Sequence, residues 1–108
     1  MTRNRSKVDR RRQVWAKTNG LCAHCGRQAS SILQTVDHYV PKSWDSGYDL
    51  RNLMPLCKKC NVARGNAPIA PYTFYKYAPK EVIDLCVQYE NEFKRKYRTL
   101  GDAENNLS

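Results

Sequence analysis

Four of the five cysteines fall in two pairs, Cys22-Ala-His-Cys25 and Cys57-Lys-Lys-Cys60. A tetrahedral zinc ion takes four soft ligands, and a C-x2-C turn brings two thiolates to one ion. Gly26 helps the first turn close. With sulfur at all four positions the ion is closed to substrate, so its expected role is structural. Disulfides are the alternative reading, and a reducing compartment disfavours them. A thioredoxin-type redox role lacks its βαβ context. The 31 residues from 26 to 56 exceed the insert of a minimal zinc ribbon and must fold into something of their own. His24 reads as an exposed knuckle residue. Cys86, the fifth cysteine, reads as a small buried hydrophobe on a C-terminal helix.

The enclosed stretch carries Asp37-His38 and Asn52-Leu53, and Asn61 follows the last cysteine. A neutral imidazole can take a proton near physiological pH. Carboxylate and amide oxygens suit a hard divalent cation. The ordered set CAHCGR, TVDHYVP, SGYDLRNLMPLCKKCNVARGN resembles the HNH endonuclease family in its zinc-bound form, over roughly residues 13–66. Two features depart from the usual pattern. Trp44-Asp45-Ser46-Gly47 stands where a Gly-Gly pair is frequent, and Asn61 replaces the final His, giving an H-N-N version.

The resemblance implies a small α+β fold, the ββα-metal finger. A hairpin would carry Asp37-His38, packed on a short helix carrying Asn61. It implies phosphodiester hydrolysis with His38 as general base, Asp37 and Asn61 as ligands of Mg²⁺ or Mn²⁺, and 5′-phosphate products. Asn52 would hold the loop and orient His38. Arg64 has two open readings, a phosphate clamp through its planar fork or a solvated face. One tension is visible: neighbours in a regular strand face opposite ways, so Asp37 and His38 share a site only if the strand bends or ends there.

The elements that must position these groups follow from pattern. Residues 1–7 read as a mobile basic arm. Val8–Lys17 reads as a short helix, Ile32–Val40 as a strand that Pro41 ends, and Leu53–Leu56 as a second strand interrupted by Pro55. Lys58–Arg64 reads as one or two helical turns capped by Gly65. Residues 66–79, with three prolines and four aromatics, read as a wrapping segment. A longer helix begins at Pro79 with Val82, Leu85, Cys86, Tyr89, Phe93 and Tyr97 on one face, and Gly101 stops it. The expected organisation is a single domain: a nuclease core over 8–66, a wrap and helix over 67–100, and a tail over 101–108.

Charge bounds the function. The 108 residues carry 19 Lys/Arg against 10 Asp/Glu, a net charge of +9. Eight of the cations lie in residues 1–28, against a single acid there. Such a block attracts a polyanion, so Arg10, Arg11 and Arg12 are expected to track a nucleic-acid backbone. DNA is the expected partner, with RNA left open beside it. A DNA-packaging protein is a further candidate partner, by analogy with small stand-alone family members of phages and mobile elements. The oligomeric state stays open. No apolar run approaches the roughly 18 residues of a membrane helix, and the first twelve residues lack the apolar stretch of an export signal. A reducing cytoplasmic setting is therefore expected. The leading expectation is a metal-dependent DNA endonuclease or nickase of low sequence specificity. The alternatives are a non-catalytic zinc module that binds nucleic acid or protein, and a secreted nuclease toxin.

Overall fold

Two short antiparallel strands hold the centre of the structure. β1 spans Gln34–His38 and β2 spans Leu53–Cys57, with Asp37 opposite Met54 and His38 opposite Leu53. The computed structural model describes the backbone of residues 2–44, 46–66 and 69–107, and the side chains of 8–44, 46–66 and 69–96. β1 is shorter than the predicted Ile32–Val40. Ser31–Leu33 forms a 3-10 turn instead, leaving Ile32 85% exposed. The reason is pairing: Gln34 already faces Cys57, where β2 runs into the next helix, so no partner remains for Ile32. Pro55 sits inside β2 because a two-stranded sheet has a free edge on each strand. Its carbonyl accepts from the Ala23 amide at 2.8 Å, which ties the first cysteine turn to the hairpin.

Among the described residues four α-helices accompany the hairpin. α1 (Thr2–Ala16) starts well before the predicted Val8, and the expected mobile arm is helical backbone from Thr2. Arginine, lysine and glutamine lose little rotamer freedom in a helix, so a polar run can extend one without an apolar stripe. The last turns of α1 dock on the hairpin, where Val14 and Trp15 are buried and the Trp15 indole donates to the Thr35 carbonyl at 2.8 Å.

α2 (Lys58–Arg64) follows β2 directly and ends on Gly65, whose φ of 66° suits glycine. α3 (Pro71–Phe74) is one turn inside the predicted wrapping segment. α4 (Lys80–Leu107) runs through Gly101, which does not stop it. Glycine inside a helix costs only about 1 kcal/mol, and no proline follows. On its inner face Ile83, Cys86 and Tyr89 are buried, whereas Leu85, predicted on that face, is 42% exposed. Tyr97 lies outside the described side chains. Among the described residues no helix is long and apolar enough to cross a membrane.

Candidate active site and metal centre

The four paired cysteines converge. Their Sγ atoms lie within 4.8 Å of one another and none is in a disulfide. A tetrahedral Zn–S length of about 2.3 Å asks for sulfurs about 3.8 Å apart, so the cluster could hold zinc. The Cys57 amide donates to Cys22 Sγ at 3.4 Å, and Gly26 N–H to the Cys22 carbonyl at 2.9 Å. Burial pushes the Cys22 thiol up, but the surrounding backbone N–H groups outweigh it and leave the thiol below its ordinary value. A sulfur so surrounded is prepared for the thiolate a metal requires. Gly26 is irreplaceable here: its φ is 74°, and a Cβ would meet the Tyr77 ring at 2.8 Å. His24 is not the exposed knuckle residue expected. Its ring stacks on Phe74 with centroids 4.0 Å apart, and Nδ1 lies 2.7 Å from the Phe74 carbonyl oxygen.

β1 ends at His38, which meets the tension between neighbouring residues. Asp37 faces inward and is 4% exposed, while His38 is half-buried. Both line one cavity of about 110 Å³ together with Lys42, Asn61 and Arg64. The Asp37 carboxylate is held on both oxygens: Arg64 Nη1 donates to Oδ1 at 2.9 Å, and the Tyr75 hydroxyl donates to Oδ2. Burial pushes the Asp37 carboxyl up, and Arg64 and Tyr75 pull it back. Each carboxylate oxygen keeps a second lone pair. Asn61 Nδ2 donates to Thr35 Oγ1 at 2.8 Å, which leaves its Oδ1 as the atom that could meet a cation. A carboxylate and an amide oxygen on one small cavity fit a hard cation that keeps waters and takes substrate oxygens.

His38 has its Nε2 sealed from solvent and bonded to nothing. Burial lowers the imidazole below its ordinary value. Asp37 opposes the shift, and the cations of Lys42, Arg10 and Arg64 add to it. The neutral ring is therefore the dominant form at physiological pH.

Asn52 is fully buried and touches neither Asp37 nor the His38 ring. Its Oδ1 accepts from Val40 N–H at 2.7 Å, its Nδ2 donates to the Val40 carbonyl at 3.0 Å, and its own carbonyl accepts from Tyr39 N–H at 2.9 Å. By these bonds it pins the backbone two residues past His38. Its own turn is fixed by Asp49, which caps the 3-10 turn Leu50–Asn52 and pairs with Arg51 at 2.8 Å; Arg51 also grips Glu92 of α4.

Arg64 departs from both readings offered by sequence. Its side chain is 1% exposed, and beyond Asp37 it donates to the His38 carbonyl at 2.9 Å and the Tyr39 carbonyl at 2.6 Å. These bonds make it an internal strut in this structure. Arg10 and Arg11 are half-buried on α1 and Arg12 is exposed. Arg10 reaches the His38 side of the molecule, stacking on Tyr48. Tyr75, Tyr48 and Lys42 were not singled out by sequence. Tyr75 stood in an aromatic-rich segment read as packing, 38 residues from the carboxylate it holds.

A sequence model of the HNH endonuclease family matches residues 22–67, which include both cysteine pairs, Asp37, His38, Asn52 and Asn61. The chain is also 34% identical over 61 residues to the CRISPR-associated endonuclease Cas9 of Corynebacterium diphtheriae, a match covering 56% of this chain. That match spans 6% of the Cas9 protein, so the likeness is to a small part of it. With the strand–strand–helix order, the clustered cysteines and the Asp37–His38–Asn61 cavity all inside the matched segment, residues 22–67 of this chain belong to the HNH endonuclease family.

Proposed function

We propose that this chain is a metal-dependent DNA endonuclease or nickase that contacts mainly the phosphate backbone. The observation that carries the reading is the small cavity on which Asp37, Asn61 and a neutral His38 meet. His38 is the base that accepts a proton from the attacking water. Asp37 and Asn61 would hold one Mg²⁺ or Mn²⁺, which when bound would supply positive charge to the scissile phosphate and the departing 3′-oxygen. Asn52 keeps the end of β1 in register, and the cysteine cluster, loaded with zinc, keeps β2 and α2 in place. The N-terminal basic excess draws in the polyanion without reading its sequence. RNA as substrate is the neighbouring case, and processing of phage or mobile-element DNA is the setting that the family resemblance suggests.

One observation favours a second reading. Both Asp37 oxygens already accept hydrogen bonds from within the chain. A non-catalytic zinc module that binds nucleic acid would use Asp37 purely as a strut. Plasmid relaxation separates the two. Purified protein with Mg²⁺ or Mn²⁺ is expected to nick supercoiled DNA, and His38→Ala with unchanged zinc content is expected to bind but not cut. Tight binding by the wild type with no cutting in either metal would favour the module.

A further inference from the structure

Beside His38 the structure gathers two cations on one aromatic ring. Tyr48 is 48% exposed and meets the His38 imidazole edge-on, with centroids 5.4 Å apart. The Arg10 guanidinium lies 4.4 Å from the Tyr48 ring centroid, and the Lys42 ammonium lies 5.0 Å from it. Arg10 comes from α1, Lys42 from the turn after β1, and Tyr48 from the loop before β2. Among the described residues, neither cation forms an ion pair with a carboxylate. Two like charges drawn together on one ring repel each other, and a cation–π contact returns only about 0.5–1 kcal/mol each at an exposed site. What such a pair lacks is an anion.

We propose that Tyr48 is a positioning residue that holds Arg10 and Lys42 as a two-cation clamp for successive phosphates of one nucleic-acid strand beside His38. The inference rests on the nuclease reading for the identity of the strand. The ring distances put the two charges within about 10 Å of each other, a reach of two to three phosphates at the ~3.4 Å axial spacing of one strand. The ring that gathers both cations meets the His38 imidazole edge-on, and Lys42 lines the same cavity as His38, so phosphates bound there flank the bond that His38 addresses. The clamp joins α1, which precedes the matched segment, to the cavity inside it. Arg10 thereby gains a defined place, distinct from a diffuse basic tail.

The test reads the salt dependence of binding, using a fluorescein-labelled 20-base-pair DNA duplex and anisotropy. The full chain carries His38→Ala so that the probe stays intact. Each phosphate neutralised contributes about 0.9 to the slope of log K against log salt. Arg10→Ala and Lys42→Ala are each expected to lower the slope by about 0.9. Tyr48→Ala, which changes no charge, is expected to lower it by at least about 1 and to weaken binding about fivefold near 0.1 M salt. Tyr48→Phe, which keeps the ring, is expected to match the parent. Zinc content and circular dichroism confirm the fold of each variant.

A Tyr48→Ala slope within about 0.5 of the parent overturns the clamp, as does a Tyr48→Phe protein that behaves like Tyr48→Ala. Should Tyr48→Ala fail to fold, the Arg10 and Lys42 variants decide alone, and unchanged slopes in both overturn it. In the His38-intact protein, Tyr48→Ala is expected to raise KM. A fall in kcat with KM unchanged would mean that Tyr48 serves only the His38 ring, and would also overturn the clamp. Binding needs no cutting, so a parent that fails to cut while showing these slopes refutes the nuclease reading and leaves the clamp standing.

Discussion

Replacing Arg64 by methionine tests whether the site is held from inside. The guanidinium lies beside the Tyr39 and Tyr75 rings, 5.8 and 6.0 Å from their centroids. It pairs with Asp37 at 2.9 Å, with side-chain exposures of 1% and 4%. Removing one partner of a buried ion pair leaves the other charge uncompensated and costs about 3–5 kcal/mol. The His38 and Tyr39 carbonyls lose donors as well, at about 1–3 kcal/mol each when counted alone, although such losses overlap. One gain opposes them: Arg64 Nε is buried without a partner, and deleting it relieves about 1 kcal/mol. The net expectation is a loss of about 3–4 kcal/mol. A phosphate clamp on the surface would change stability by less than about 0.5 kcal/mol.

Urea unfolding at fixed zinc, followed by circular dichroism, reads the difference. With a slope of about 1.5 kcal/mol/M the midpoint falls by about 2 M. Asp37→Asn removes the charge that Arg64 compensates, so in that background Arg64→Met is expected to cost at least 1 kcal/mol less. A loss below about 1 kcal/mol in the parent, or strict additivity with Asp37→Asn, would refute the internal-strut reading.

Three further outcomes are expected. Purified chain should carry about one zinc, and stripping it with a chelator, or replacing Cys57 by serine, should abolish cooperative unfolding, read by metal analysis and thermal melts. Asn52→Ala leaves the Val40 amide and carbonyl unpaired in the interior and should cost about 2–4 kcal/mol, with amide exchange speeding up at Val40 before Val36. Hydrogen bonds from Arg51 hold the Asp49 and Glu92 carboxyls below their ordinary values. Their stabilising contribution is therefore full above the unfolded values near 4 and is lost as pH falls through the depressed folded values. Arg51→Ala should accordingly flatten the fall in melting temperature between about pH 5 and pH 3.

What could be read in advance was what local spacing determines. Two cysteines three positions apart must turn to meet one ion, so the cluster was legible, as were β2 and the α2 that carries Cys60. The ends of elements were less so, because weak signals decide them. Gly101 costs α4 little, and Ile32 looks like a strand residue in a place where no partner strand remains. Arg64 was illegible for another reason: the same side chain serves as a clamp outside or a strut inside. The choice is made by Asp37 and Tyr39, 25 or more residues upstream, and by Tyr75 downstream.

That dependence sets a limit on what the matched segment can do alone. Residues 22–67 contain the four clustered cysteines and every residue read as catalytic. They do not contain Tyr75, which holds the second Asp37 oxygen, nor Trp15, which fixes β1 through Thr35, nor the Glu92 that steadies Arg51 beside Asn52. A piece cut to the match would keep the ligands and lose a donor on the buried carboxylate, at a cost of about 1.5–3 kcal/mol for a hydrogen bond to a charged group. It would also open the hairpin face that α1 covers and the Leu50–Asn52 turn against which α4 packs. The residues read as catalytic sit inside the matched segment, and several of the contacts that hold them come from the chain outside it.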